Sequence, residues 1–126
     1  MLAKPKKVSK TALKAKADKL ASQYYRAQTP YCEMAGLDEH QCAGVLNWAH
    51  IIGRANLRLR YEPYNHLILC AGEHLFFTHH PLDWIRALEK HYPERLRLAE
   101  QHRHEIVKCD YQAYIGRFTA LPESQD

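Results

Sequence analysis

Apolar positions along the chain recur first at helical and then at strand spacing. Leu13, Ala17, Leu20, Ala21 and Tyr24 return every three or four residues while lysines take the other faces, which predicts a helix from an N-capping Ser9 to about Ala27. Pro30 stops it. From Tyr31 to Gly44 no period holds and two cysteines appear, the pattern of a loop pinned by something other than a core. The branched and aromatic residues of "GVLNWAHI" and "NHLILC" then predict two short strands, joined by the long basic connection "IGRANLRLRYEPY". A short helix is expected over 71–78, and "HHPLDW" restarts the chain into a helix at about 82–91, with Pro81 near its first turn. In "PERLRLAEQHRHEIVKC", Leu96, Leu98, Ile106 and Val107 again follow helical spacing, and Trp48, Trp84, Phe76 and Phe77 are assigned to the core. The resulting fold class is α+β and helix-rich, with helices around one two-stranded element.

Length and charge narrow this picture. At 126 residues the chain has the size of one domain. No apolar run approaches the roughly 20 residues that cross a bilayer, and "MLAKPKKVSK" carries basic residues with no apolar segment behind it, so a cytoplasmic protein without membrane attachment is expected. In that compartment Cys32, Cys42, Cys70 and Cys109 read as thiols or metal ligands rather than a disulfide framework. The net charge is +4, unevenly spread: residues 1–20 hold seven lysines against the single acid Asp18, and 50–60 add Arg54, Arg58 and Arg60 with no acid. A polyanion would meet that charge at the N-terminal arm and the central loop.

The chemistry concentrates in His50, Asn65 fifteen positions later, and His74 nine positions after that. Cutting a phosphodiester calls for a base that takes a proton from water and a divalent cation that offsets charge on the phosphate and the departing oxygen. Histidine suits both tasks. A histidine ending one strand can face a helix that begins after the next, and an asparagine in the loop between can fix the first imidazole.

These residues resemble the HNH, or ββα-metal, endonuclease family. The likeness is carried by "AHI" at 49–51, Asn65 and "LCAGEH" at 69–74. "GVLNWAHIIGR", "LRLRYEPYN" and "LFFTHHPLDW" are similar to its phage-type branch of NinG/Rap-like recombination nucleases. The resemblance implies a basic N-terminal helical arm over 1–30, a ββα-metal core over 31–84 and a C-terminal helical extension over 85–126 within one domain. It makes His50 the general base, Asn65 its orienting partner and His74 the ligand of a catalytic Mg²⁺, Mn²⁺, Ni²⁺ or Zn²⁺. Arg54, Arg58 and Arg60 become phosphate binders, with Arg54 nearest the scissile group.

Two departures from the family pattern stand out. Ala49 occupies the position before the base where many members place a metal ligand, so the ion would draw on His79, His80, Glu73, water or the DNA phosphate, with His79 ranked first among the side chains. Family members also often hold a structural zinc on two Cys-x-x-Cys knuckles, whereas here Cys32, Cys42 and Cys70 remain and Glu73 stands in the fourth place. His40, Glu73, Cys109 and His74 are all chemically able to complete a tetrahedral site. The expected activity is metal-dependent hydrolysis of DNA in phage recombination or DNA processing, with weak sequence preference and a leaning to branched or flapped DNA. The alternative is a zinc-stabilised DNA-binding or recombination-accessory module without nuclease activity, and a third reading is a structural phage protein.

Overall fold

The computed structural model describes residues 8–37 and 42–120. Five helices surround one antiparallel pair of strands: α1 (Lys10–Gln28), β1 (Leu46–His50), β2 (His66–Cys70), α2 (Ala71–His79), α3 (Pro81–His91), α4 (Pro93–His102) and α5 (Tyr111–Ala120). The α+β class is as expected, and among these described residues no helix is long and apolar enough to cross a membrane.

Local chemistry sets most boundaries. Ser9 caps α1, its hydroxyl accepting from the Ala12 N–H at 3.1 Å. Pro81 and Pro93 open α3 and α4, where a missing N–H costs nothing. Cys70 caps α2 through its sulfur, so the end of β2 and the start of α2 share one residue.

The strands pair in the register Leu46↔Cys70, Trp48↔Ile68 and His50↔His66. Two strands alone are marginal in water, and both faces are covered. Alternation sends Trp48 and Ile68 toward Ala17, Ala21 and Tyr25 of α1 and Ile115 and Phe118 of α5. Ala49, Leu67 and Leu69 turn the other way, toward Phe77 of α2 and Leu88 of α3. The inward aromatic of α1 is Tyr25 rather than the expected Tyr24, which is only partly buried.

The basic connection between the strands is a run of turns, not a free loop. Asn56, Leu59, Glu62 and Asn65 each donate a backbone N–H to the carbonyl three residues earlier, and Leu59 and Tyr61 are completely buried. The expected helix over 93–109 is corrected: α4 ends at His102, and Ile106 is 99% exposed in an irregular link. The chain then re-enters a helix at Asp110, whose carboxylate accepts from the Ala113 N–H at 3.1 Å. Tyr111, Tyr114, Ile115 and Phe118 form the stripe that seats α5 on α1.

Candidate active site and metal centre

His50 is the last residue of β1 and is half-buried, its ring centroid 4.2 Å from that of Trp48. Its Nε2 lies 2.9 Å from the Arg60 carbonyl oxygen. A carbonyl only accepts, so Nε2 carries the hydrogen and Nδ1 keeps the lone pair of a neutral imidazole. Burial pushes the His50 pKa down to about 4 against the opposing pull of that carbonyl, with Arg54 adding to the depression. At neutral pH the ring is uncharged.

His74, one turn into α2, lines the same cavity as His50, about 250 Å³ in volume and otherwise bounded mainly by Ala49, Leu69, Phe77 and Trp84. Burial and then the Arg54 charge lower its pKa as well. The Arg54 charge is felt at both rings, and its Cζ stands 5.9 Å from the Trp48 ring centroid. The cavity therefore brings His50 and His74 together. His79 and His80 do not line the cavity: both are exposed at the end of α2, where His80 stacks on Phe76.

Three expected roles change. Asn65 is 0% exposed and does not reach His50; its Oδ1 accepts from the Ile52 N–H and its Nδ2 donates to the Ile52 carbonyl, both at 2.9 Å. It closes the turn leaving β1, and the imidazole is oriented by Arg60 instead. Arg60 is 3% exposed and forked onto Asp18 of α1 at 2.9 and 2.6 Å, so its guanidinium is removed from the phosphate-binding set. Arg58 is occupied by Glu62 at 2.8 Å and Glu105 at 2.7 Å. Of the three arginines, Arg54 alone carries no ion pair among the described residues.

A second centre lies at the other end of β2. The sulfurs of Cys32, Cys42 and Cys70 all fall within 4.8 Å of one another and could hold a metal ion. Burial raises the Cys70 thiol, but hydrogen bonds from the Cys42 thiol and from the Glu73 and Ala43 N–H groups hold it below its usual range. Those two amides lie 3.4 and 3.3 Å from Sγ at the N-terminus of α2, a setting that favours a thiolate. Cys42 is raised, chiefly because its proton is shared with Cys70. A dication is the species that would displace such shared protons.

Backbone bonds hold the cluster in place. Ala71 and Gly72 donate to the carbonyls of Val45 and Ala43 at 2.8 and 2.9 Å, and Glu33 binds β2 through Ile68. Glu73, His74 and Cys109 do not join the cluster, and His40 lies outside the described residues. Cys109 packs with the aromatic core between α1 and α5.

Sequence reasoning passed over His66. It sits opposite His50 in the sheet, buried against Tyr25 with ring centroids 4.2 Å apart, and its Nδ1 has no hydrogen-bond partner among the described residues. Period-two alternation carried that signal once the register was known. No family model, curated protein or solved structure matches the chain.

Proposed function

We propose that this protein is a metal-dependent DNA endonuclease of the HNH, or ββα-metal, type. The observation that carries the reading is the single cavity onto which His50 and His74 both open, with Nδ1 of His50 left as a proton acceptor. The sequential β1–β2–α2 arrangement agrees with it.

In the proposed reaction a water oxygen forms a bond to phosphorus while its proton passes to Nδ1 of His50. The bond from phosphorus to the departing ester oxygen breaks, and that oxygen takes a proton from solvent. Arg54 binds the phosphate oxygens. His74 would hold the catalytic cation, which would supply positive charge to the phosphate and the departing oxygen. Ala49 adds no ligand, and the only group of three ligand atoms among the described residues is the thiol cluster, so His74 would be the cation's protein ligand at this cavity. Cys32, Cys42 and Cys70 hold a structural zinc. Branched or flapped DNA from phage recombination is the substrate class that the sequence resemblance suggests, with binding dominated by backbone contacts.

Plasmid incubation with Mg²⁺, Mn²⁺, Ni²⁺ or Zn²⁺ tests this. Cutting should need roughly millimolar cation, since one side chain holds it, and His50→Ala should reduce the rate by about 10²–10⁴-fold. His74→Ala should raise the cation requirement. DNA binding without cutting under every ion would instead favour a recombination-accessory module, a reading that Ala49 supports. Metal analysis should find about one zinc per chain, lost in Cys70→Ser.

A further inference from the structure

We propose that Asp18 and Arg60 are positioning residues that set the tautomer of His50 from across the fold. This rests on the reading of His50 as the base. The geometry forms a short chain from α1 to the imidazole. Asp18 grips the Arg60 guanidinium through Oδ1 to Nε at 2.9 Å and Oδ2 to Nη2 at 2.6 Å. The Arg60 main-chain carbonyl then accepts from Nε2 of His50 at 2.9 Å.

The same helix anchors the next residue twice. The Tyr61 hydroxyl donates to Oδ1 of Asp18 and the Tyr25 hydroxyl donates to the Tyr61 carbonyl, both at 2.7 Å. Asp18 and Tyr25 are seven positions apart, two helical turns, so they share one face of α1. Consecutive residues 60 and 61 are thus gripped by one rigid element, which fixes the peptide whose carbonyl reaches His50. Arg60 also donates from Nη1 to the Arg54 carbonyl at 2.6 Å, so the backbone of residue 54 is tied to the same ion pair. A buried guanidinium with three of its donors satisfied in this way needs no substrate to explain it.

With the carbonyl in place, Nε2 must carry the hydrogen and Nδ1 must stay bare. Loosening the carbonyl lets the ring populate the other neutral tautomer, in which Nδ1 is protonated and cannot act as a base. Partners of this kind commonly account for about 10–100-fold in activity.

The test is nitrogen NMR of the His50 ring, read with steady-state cutting of DNA. Wild type should show the Nε2–H tautomer. Asp18→Asn should give a mixture and lower kcat by about 10–100-fold with KM little changed. Ile115→Ala, a core truncation between α1 and α5, should lower stability while leaving tautomer and kcat as in wild type. Arg60→Lys keeps a charge beside Asp18 but cannot also hold the Arg54 carbonyl; it should show a milder version of both effects, and it decides the matter if Asp18→Asn does not fold. A folded Asp18→Asn or Arg60→Lys protein with the wild-type tautomer would overturn the proposal, as would a wild-type ring protonated at Nδ1. If wild type cuts no DNA, the assignment of His50 as base fails, while the tautomer measurement still decides whether Asp18 and Arg60 position the ring.

Discussion

Replacing Asn65 by alanine should unfold the protein more readily without releasing His50. The side chain is inaccessible to solvent and makes two hydrogen bonds, both to Ile52 and both at 2.9 Å. Truncation leaves the Ile52 N–H and carbonyl without those partners, at about 1–3 kcal/mol for each buried group. Ile52 is half-buried, so water recovers part of this, and a net loss of about 2–4 kcal/mol is expected. Against a typical total of about 5–15 kcal/mol, that is a large fraction of the stability. The main-chain bonds of residue 65, in which its carbonyl accepts from the Ile51 N–H and its N–H donates to the Glu62 carbonyl, survive the change. Asn65→Asp should be no milder, because it sets a second acceptor against the Ile52 carbonyl. Urea unfolding followed by Trp48 fluorescence measures the loss, and nitrogen NMR of His50 shows whether Arg60 still holds the ring. A change below about 0.5 kcal/mol, the size ordinary for surface substitutions, would refute this account of the turn. A stable Asn65→Ala protein with an altered His50 tautomer would restore the orienting role first expected for the asparagine.

Two further expectations follow from buried groups and backbone geometry. Burial pushes the pKa of His66 from 6.5 down to about 4, so the unfolded chain binds the proton first and stability falls as pH drops from about 6.5 toward 4. Between pH 8 and pH 5 this one group should contribute a loss of about 2 kcal/mol, at 1.36 kcal/mol per pK unit. His66→Phe should abolish that part of the pH dependence in urea titrations, and an unchanged slope would count against burial as its cause. Gly44 has φ +87°, and a β-carbon there would lie 2.8 Å from the Ala71 β-carbon, whereas Gly36 at φ +74° meets nothing within 4 Å. Gly36→Ala should therefore cost only about 1–2 kcal/mol of backbone strain. Gly44→Ala should cost more in thermal melts and, by moving residue 43 off Cys70, weaken metal retention; equal effects at both positions would contradict the contact argument.

Periodicity and capping made much of the fold legible. Ser9 at the start of α1, both strands, and Pro81 at the start of α3 act locally, and they appear where their chemistry placed them. The link after α4 misled because Ile106 and Val107 happen to continue a helical spacing, whereas the local signals for a new helix, the Asp110 cap and the stripe from Tyr111 to Phe118, lie beyond it. The grouping of Cys32, Cys42 and Cys70, which the family resemblance implied, agrees with their sulfurs lying within 4.8 Å of one another. The arginines were harder. A sequence shows that Arg54, Arg58 and Arg60 are cationic, but not that α1 delivers Asp18 to Arg60 or that the turn after α4 brings Glu105 to Arg58.

By itself, then, the order of residues determined α1, the two strands and the helices α2 and α3, and which side chains are chemically able to hold a proton or a metal, because those properties depend on neighbours a few positions away. Tertiary structure alone decided which of these groups meet. The partners of His50, Arg60 and Asn65 lie 10, 42 and 13 positions distant, and only packing the strands between α1, α2 and α5 fixes such separations in space.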